Sequence, residues 1–535
     1  MQKLKLSGLS ILSGILMGLS WPETGDIAPL FFIALLPLLY LEHIVAQNPD
    51  KLKSRYVFFN AYLAFLTFNV FTTWWIWNAD PEGMIMAEVL YSLFMAITFL
   101  WFHKIKKNLG EKKGYFALIV LWIGFEWLHY NWEFSHPWNT FGNTFANFTP
   151  IVQWYEYTGV LGGSLWILLT NILLFSVFRK AWLLKEPLKQ SRKTLNWMAG
   201  ILIIPILFSI FIYTTYTEEE NPVEIVVIQP NIDPYNQKFS GMTEAEQMNR
   251  ILSLARAKIT PNTKYILAPE TAIPISSDEK QIEKNYGIIE IRKFLQEFPH
   301  TKFIIGITSR IEYGHLPSKP TPTARPYRKD QWYDVYNTAL LIDNSPTIQF
   351  YHKSKLVLGV EKLPYPKLLA PLEDFAINLG GTFGSLGTET EAHNLVDGDL
   401  KMAPVICYES IYGDYVSSYV AKGAQLLFIL TNDGWWADTP GYKQHLAYGR
   451  LRAIETRRSI ARSANTGTSC FINQRGDVIG PTAWWKEDAI VNSINLNSST
   501  TVYATYGDFI GRLCAAIATL LLIASWVIKI KGKIS

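Results

Sequence analysis

Residues 402–415 read MAPVICYESIYGDY, an apolar run that passes directly into a polar cluster. The apolar half is short and rich in small and β-branched residues, which predicts a buried β-strand. Its end delivers Cys407, one of three cysteines in the 535 residues. Catalytic groups often lie where a rigid strand meets solvent. Cys407 is therefore a candidate nucleophile, and the alternatives are a core cysteine or a disulfide with Cys470.

The surrounding sequence from residue 220 to residue 506 contains further short runs of this strand-like kind. Short β-branched runs alternate with polar, helix-like segments, which predicts an α/β or α+β domain large enough for its own core. The predicted strands are 223–230, 264–270, 302–308, 337–343, 347–353, 401–409, 425–433, 468–473 and 490–496, and the predicted helices are 242–258, 280–297 and 443–458. Residues 314–331, with several prolines and basic residues, are expected to form an exposed excursion.

Outside this domain, eight apolar runs are long enough to cross a bilayer. They lie at 6–22, 27–46, 57–79, 84–103, 115–131, 160–178, 196–216 and 508–528. The first run also resembles a secretory signal, but it lacks a small-x-small cleavage site, so we expect an uncleaved helix. The sequence thus predicts seven transmembrane helices in residues 1–219, a soluble domain at 220–506, and a last helix with a basic tail at 507–535.

Charge alternates between the loops of the predicted membrane helices. Residues 132–159 hold no Lys or Arg, and residues 217–222 are acidic. The basic loops are 51–55, 103–114 and 179–193. Basic loops stay in the cytoplasm, so both termini are expected there. The domain at 220–506 would then lie across the inner membrane, in the periplasm of a two-membrane bacterium.

Composition argues against several function classes. Hydrophobic residues make up 49% and charged residues 18% of the chain, a membrane-like balance diluted by soluble sequence. No basic tract interleaved with aromatic residues suggests nucleic acid as a partner. Three widely spaced cysteines give no zinc pattern. Ionisable residues are few in the middle of the apolar runs, where a transporter would need them.

Three predicted strands end in a polar residue that is capable of chemistry. The run YILAPE ends in Glu270, IQFYHK ends in Lys353, and APVICYE presents Cys407. A thiol needs a base, and a carboxylate whose pKa is raised by an apolar pocket can take its proton. An ammonium can stabilise a thiolate and an oxyanion, so this set suffices for acyl transfer without a histidine. Alternatively, Glu270 is a helix cap or an ion-pair residue, and Lys353 is a surface lysine mistaken for Lys355.

Four motifs resemble those of the nitrilase, or carbon-nitrogen hydrolase, superfamily. They are LAPETAIP (267–274), YHKSKLVLGVE (351–361), ICYES (406–410) and TNDGWWADTPG (431–441). The segments SHPWNTFGNT (135–144), TGVLGGSLW (158–166) and 444–469 extend the resemblance to the bacterial apolipoprotein N-acyltransferases, over nearly the whole chain. That resemblance implies a nitrilase-like αββα sandwich domain joined to a polytopic α-helical membrane bundle.

The resemblance also implies a catalytic triad. Glu270 would be the general base, Lys353 the stabiliser of the thiolate and the oxyanion, and Cys407 the nucleophile. The sequence departs from the family at three of these motifs. APE stands where Trp-Pro-Glu is commoner, and VLGVE replaces Val-Pro-Phe-Gly-Glu, although the spacing from Lys353 to Glu361 is kept. TNDGWW replaces Ser-Asn-Asp-Ala-Trp-Phe, which is a mild change.

Further residues receive supporting roles from the same resemblance. The backbone N–H of Tyr408 would be a second oxyanion donor, and Glu361 and Glu409 would orient Lys353 or order the site. Trp435 or Trp436 would lie at the acyl pocket or on a mobile loop. Structural hydrogen bonding is the alternative for both glutamates.

The implied activity moves a fatty acyl chain from a membrane phospholipid, through a thioester on Cys407, to the α-amino group of a diacylglyceryl-modified N-terminal cysteine on an apolipoprotein. The expected partners are the phospholipid donor, the diacylated acceptor and the bilayer. No cofactor, metal or nucleic acid is implied, and a monomer is expected. Residues 362–396 are either a lid or a plain surface loop. A membrane-tethered nitrilase-type amidase and a non-catalytic lipid-binding scaffold are the alternative functions.

Overall fold

The computed structural model describes residues 2–365 and 385–534, and the polypeptide forms two compact units. The first unit comprises Met1–Trp77, Pro81–Tyr216 and Tyr506–Ser535, and the second comprises Asn78–Asp80 and Thr217–Thr505. Most of the candidate lid falls on residues 366–384 and therefore lies outside the described residues.

The first unit is helical, as expected for apolar runs that must pair their backbone groups within one segment in lipid. Its helices are α1 (Gln2–Ser20), α2 (Phe31–Ala34), α3 (Leu36–Gln47), α4 (Arg55–Thr73), α5 (Pro81–Leu109), α6 (Glu111–Asn131), α7 (Tyr155–Thr158), α8 (Val160–Phe178) and α9 (Arg192–Thr215). All eight predicted apolar runs lie on helices. Within the described residues, six helical segments are long and apolar enough to cross a membrane.

The other two predicted runs are helical but fall short of that measure. The apolar part of α1 spans only Leu6–Ser20. Helix α6 carries the polar side chains Glu126 and His129, both of them buried. Glu126 Oε1 accepts hydrogen bonds from the Phe141 N–H and the Trp122 indole, so this carboxyl group is paired inside the unit.

The second unit contains two β-sheets. Its strands are β1 (Pro222–Gln229), β2 (Thr263–Leu267), β3 (Ile273–Asp278), β4 (Lys302–His315), β5 (Arg325–Arg328), β6 (Gln331–Ile342), β7 (Gln349–His352), β8 (Leu395–Asp397), β9 (Leu400–Ile406), β10 (Leu426–Thr431), β11 (Ile460–Ala464), β12 (Cys470–Ile472), β13 (Val478–Ile479) and β14 (Asp488–Asn495). One sheet has the order β14-β1-β2-β4-β6-β5, with β3 paired to β4 and β7 to β6, and the other has the order β13-β12-β11-β10-β9-β8. Strands β9, β10 and β11 are mutually parallel, so their carboxyl ends share one edge.

Helices cover the outer faces of the two sheets. They are α10 (Glu244–Lys258), α11 (Tyr286–Glu297), α12 (Gly413–Ala421), α13 (Pro440–Thr456) and the short α14 (Val502–Tyr506). Alternate side chains of a strand point to opposite faces. In β1, Ile225 and Val227 join the core shared with β9 and β10, whereas Val226 and Ile228 pack with α10 and α11. With α12 and α13 against the second sheet, this is the αββα sandwich that the sequence predicted.

The chain returns to the first unit with α15 (Phe509–Ile534), which packs against α6. Gly124 on α6 permits a close approach, because a Cβ there would lie 2.9 Å from the Cα of Ala515. The last predicted run thus joins the bundle formed by the N-terminal helices.

The predicted domain differs from the structure in several elements, and β3, β8, β13 and helix α12 were not predicted. The excursion at 314–331 is exposed near its tip, but it contains β5 and the adjoining ends of β4 and β6, paired antiparallel. Strand β11 was not predicted, because polar residues such as Arg462 interrupt its apolar pattern. Strand β11 pairs in parallel with β10 across the intervening helix α13, a contact that local patterns do not report.

Candidate active site

Cys407 is the first residue of a 3₁₀ turn, Cys407–Ile411, that follows β9 directly. Its φ of +47° lies in the left-handed region, which costs a non-glycine residue on the order of 1–3 kcal/mol. Neighbouring side chains hold the turn. Glu409 Oε2 accepts the Ile406 N–H at 2.8 Å, and the Ser410 hydroxyl donates to the Cys407 carbonyl at 2.7 Å. The turn therefore fixes a buried thiol at the strand end, as the sequence predicted.

The thiol of Cys407 is free, and so is that of Cys470, so the disulfide alternative is wrong. Burial raises the pKa of Cys407, and the negative charge of Glu270 raises it further. The ammonium of Lys353 opposes this change without reversing it. The free site consequently holds a neutral thiol at neutral pH.

Lys353 follows β7 and joins two carboxylates to each other. Its Nζ lies 3.0 Å from Glu270 Oε1 and 2.9 Å from Glu361 Oε1. Asn337 donates to the same two oxygens, at 2.7 and 3.1 Å. Lys353 is only 1% exposed, so the surface-lysine alternative is wrong. Lys355 is not part of this cluster, because its ammonium lies over the rings of two tyrosines.

The charge state of Glu270 differs from the sequence expectation. Burial by itself raises the pKa of this carboxyl, as predicted. The Lys353 ammonium, the Asn337 hydrogen bond and the Lys238 ammonium outweigh burial and hold the pKa below its usual value. The expected raised pKa is therefore wrong, and Glu270 is ionised in the free site. A proton can pass from the thiol to Glu270 only when new charge develops nearby.

Glu409 ties the Lys353 segment to the Cys407 turn. Its Oε1 accepts the Tyr351 hydroxyl at 2.6 Å and the Ser354 N–H at 2.7 Å, while its Oε2 accepts the N–H before Cys407. The side chain is fully buried, and no lysine or arginine pairs with it among the described residues. Its geometry fits an ordering role.

The remaining predicted residues lie close to the Cys407 turn. Tyr408 is the second residue of the turn, and its ring meets that of Tyr412 edge to face at 5.5 Å. Trp435 and Trp436 are half-buried in a short 3₁₀ turn after β10. The Trp436 ring meets the His445 ring edge to face at 5.6 Å.

A second buried lysine, which the sequence did not predict, lies beside Glu270. Lys238 lies in the loop after β1, and its Nζ donates to the Glu270 carbonyl at 3.1 Å and to the Thr271 hydroxyl. Burial lowers the pKa of Lys238 to about 8, although Glu270 and Cys407 act in the opposite direction. A single lysine in a polar loop gives no pattern that marks it. Asn337, in the middle of the apolar strand β6, was the more visible signal.

A further set of polar residues was missed on the β10 side of the thiol. Thr431 Oγ1 lies 3.3 Å from Cys407 Sγ and 2.9 Å from Asp433 Oδ1. Arg462 from β11 pairs with Asp433 Oδ2 at 2.7 Å, and His445 lies 3.1 Å from Oδ1. Thr431 and Asp433 open the TNDGWW motif, so the sequence signal for them lies beside the two tryptophans.

The arrangement supports covalent chemistry at a thiol. Within residues 2–365 and 385–534, no group of three His, Cys, Asp or Glu side chains is placed to hold a metal ion. A nucleophile, a carboxylate and a buried ammonium lie together at strand ends. This set can form an acyl-thioester and stabilise the oxyanion on the way to it.

Comparison with known proteins covers both units. Residues 13–173 match the family model of the apolipoprotein N-acyltransferase N-terminal domain, and residues 226–504 match that of carbon-nitrogen hydrolase. An apolipoprotein N-acyltransferase of Chlorobaculum tepidum is 31% identical over 97% of this chain and 96% of its own length. One from Geobacter metallireducens is 26% identical over 95% and 93%. A carbon-nitrogen hydrolase structure from Helicobacter pylori G27 has 14% identity and a TM-score of 0.34, and covers 51% of this chain and 89% of its own.

Proposed function

The chain belongs to the apolipoprotein N-acyltransferase family, and from that premise we propose that it acylates lipoproteins at their amino terminus through a thioester on Cys407. The observation that carries this mechanism is the buried lysine, Lys353, which pairs with Glu270 and Glu361 and whose charge acts on the Cys407 thiol. Glu270 is the general base, Lys353 the electrostatic stabiliser and Cys407 the nucleophile.

The first half-reaction loads the enzyme. Cys407 Sγ attacks the ester carbonyl of a phospholipid, the S–C bond forms, and the ester C–O bond breaks. Because the thiol is neutral in the free site, its proton moves to Glu270 as the bond forms. Glu270 then passes the proton to the departing oxygen of the lysophospholipid. Lys353 and the Tyr408 N–H stabilise the oxyanion that forms between these events.

The second half-reaction transfers the chain. The α-amino group of a diacylglyceryl-modified cysteine attacks the thioester, the N–C bond forms, and the C–S bond breaks. Glu270 takes the proton that the amine loses, and Cys407 leaves as a thiolate, which then takes that proton from Glu270 to restore the neutral thiol and the ionised carboxylate. An amine competes well with water here only if the site excludes water, which the burial of the cluster favours.

The supporting residues order this site. Glu361 shares the Lys353 ammonium with Glu270 and accepts the Val357 N–H at 2.8 Å, which shapes the VLGVE segment. Glu409 holds the Lys353 and Cys407 segments in register. We assign the acyl pocket to Trp435 or Trp436, which lie in the short 3₁₀ turn after β10.

A membrane setting suits two lipid-anchored substrates. The first unit has helices long and apolar enough to span a bilayer. The basic loops at 51–55, 103–114 and 179–193 support cytoplasmic termini, with residues 220–506 as a periplasmic catalytic domain at the inner membrane. We propose that one chain suffices, because both half-reactions use the same cluster.

The decisive experiment is the intact mass of the purified protein after incubation with phospholipid vesicles. Wild type should gain one fatty acyl group that neutral hydroxylamine removes, and Cys407→Ala should gain none. Adding a diacylated lipopeptide should discharge the enzyme and yield a triacylated peptide. Discharge to water instead would support the hydrolase alternative. No gain of mass with any of several headgroups would contradict the acyl-enzyme and favour the scaffold.

A further inference from the structure

Cys407 Sγ has a hydrogen-bonding neighbour on the side of β10 as well as the triad. Thr431 is the last residue of β10 and is fully buried. Its Oγ1 lies 3.3 Å from Cys407 Sγ and 2.9 Å from Asp433 Oδ1. The hydroxyl carries one proton and has two acceptors within reach. Which of the two acceptors receives the hydrogen bond of the Thr431 hydroxyl must depend on the charge of the sulfur.

The competing acceptor is held as a carboxylate. Asp433 is fully buried, and Arg462 pairs with its Oδ2 at 2.7 Å. His445 lies 3.1 Å from its Oδ1 and also 3.1 Å from the Cys407 carbonyl. Burial raises the pKa of Asp433, but Arg462 and His445 outweigh it and lower the pKa to about 2. Asp433 therefore accepts a hydrogen bond throughout the working pH range and holds the Thr431 side chain in place.

We propose that the Thr431 hydroxyl is a further catalytic group, which donates to Asp433 while Cys407 is a thiol or a thioester and turns to donate to Sγ when the sulfur becomes a thiolate. In the thiol state, the S–H can donate to Thr431 Oγ1 while the hydroxyl donates to Asp433. No bond breaks in this switch and the proton stays on Oγ1. Only the O–H rotates, which is fast compared with chemistry. The inference rests on the proposed function.

The second half-reaction is where such a donor is needed. When the amine expels Cys407, negative charge returns to a buried sulfur, and burial disfavours that charge. Lys353 is already shared by Glu270 and Glu361. Lys238 donates to the Glu270 carbonyl and to a neighbouring hydroxyl. Within the described residues, Thr431 Oγ1 is the only side-chain hydrogen-bond donor recorded for Sγ.

The alternative is that Thr431 is only a structural residue that satisfies Asp433. The two roles predict different responses of the sulfur. A structural residue would alter stability without changing how Cys407 titrates. A donor to the thiolate would lower the thiol pKa, so its removal would raise that pKa further. The charged groups that act on Sγ are Glu270, Lys353, Lys238 and Asp433, and each must be kept in the variants.

The test compares Thr431→Val, which removes the hydroxyl at similar size, with Thr431→Ser, which keeps it. One readout is the alkylation rate of Cys407 by iodoacetamide as a function of pH, with Cys407→Ala as the blank. The other is the rate at which a preloaded acyl-enzyme discharges to a diacylated lipopeptide. For Thr431→Val, we expect alkylation about tenfold slower at a given pH, a profile moved to higher pH, and discharge slowed by a similar factor.

Thr431→Ser should stay close to wild type in both readouts. An alkylation profile of Thr431→Val that matches wild type would overturn the proposal, and so would an equal loss in Thr431→Ser. Should Thr431→Val fail to fold, Thr431→Ala carries the same comparison. A wild type that never forms an acyl-enzyme would contradict the proposed function, and the alkylation profile would still decide whether Thr431 donates to Sγ.

Discussion

Each unit of the protein contains a largely buried cluster in which a lysine ammonium pairs with one or two carboxylates. In the first unit, Glu42 on α3 pairs with Lys106 at 2.5 Å and with His103 at 2.7 Å, both on α5. In the second unit, Lys353 pairs with Glu270 and Glu361. The paired side chains of both clusters are 13% exposed or less, so burial alone does not tell the clusters apart.

The two clusters differ in whether a nucleophilic atom lies beside them. Both carboxylate oxygens of Glu42 are paired, Oε1 with His103 and Oε2 with Lys106. The Nε2 atom of His103 lies 3.2 Å from the Ser54 hydroxyl. In the second unit, the charges of Lys353 and Glu270 act on the Cys407 thiol, which lies in a turn with a strained backbone. A buried ion pair is therefore weak evidence for a catalytic site, and a positioned nucleophile within its field is stronger evidence.

The largest effect should follow the loss of the shared cation. Lys353→Met leaves Glu270 and Glu361 facing each other without an ammonium, and it removes the charge that stabilises the oxyanion. We expect acyl-enzyme formation to fall by about a thousandfold. Lys355→Met is the matched control, because Lys355 lies two residues away and packs over tyrosine rings. Equal losses of acyl-enzyme formation in the two variants would show that the Lys353 cluster has no specific part in the reaction.

The next largest effect should separate reactivity from catalysis. Because Glu270 raises the pKa of Cys407, Glu270→Gln should lower that pKa. Alkylation of Cys407 should become faster at a given pH, by about tenfold, and its profile should move to lower pH. Acyl-enzyme formation should nevertheless fall by about a hundredfold, because the general base is gone. Acyl-enzyme formation that stays at the wild-type rate in Glu270→Gln would show that Glu270 is not the base.

A smaller effect should follow a change at Glu409. This residue resembles Glu42, since structural donors occupy its oxygens, although it lies inside the second cluster. Glu409→Gln turns an amide N–H₂ toward donors such as the Ser354 N–H, which should loosen the Cys407 turn. We expect acyl-enzyme formation to fall by about tenfold, with the alkylation profile unmoved. A shifted alkylation profile would mean that Glu409 acts by charge rather than by position.

The sequence predicted most of the second cluster because its members end apolar strands. Glu270, Lys353 and Cys407 each come after the apolar part of a predicted strand, which is a local pattern. Asn337 and Arg462 were missed because each lies inside a strand and is buried only through partners far away in sequence. The charge of Glu270 was wrong for the same reason, since a single motif does not reveal the two lysines that surround it.

The pairing in the first cluster also has no signal in the local sequence. Glu42, His103 and Lys106 lie at the ends of apolar runs, where loop charge is ordinary, and nothing local predicts that they meet. Their pairing depends on how α3 and α5 pack, which is set by side chains along both helices. Periodicity predicts such helices well and predicts their contacts poorly.

The smallest effect on catalysis, and the sharpest test of the comparison, should come from Lys106→Met. This change leaves Glu42 paired with His103 alone inside the first unit. Removing one member of a buried ion pair costs on the order of 3 kcal/mol, so the melting temperature in detergent should fall clearly. Acyl-enzyme formation per folded molecule should stay within about twofold of wild type, because Lys106 belongs to the other compact unit from Cys407.

Lys107→Met, next on the same helix, controls for loss of positive charge alone. Were Lys106→Met to lose activity with its melting temperature unchanged, the first cluster would have a catalytic part, and the distinction drawn from the neighbouring thiol would be mistaken.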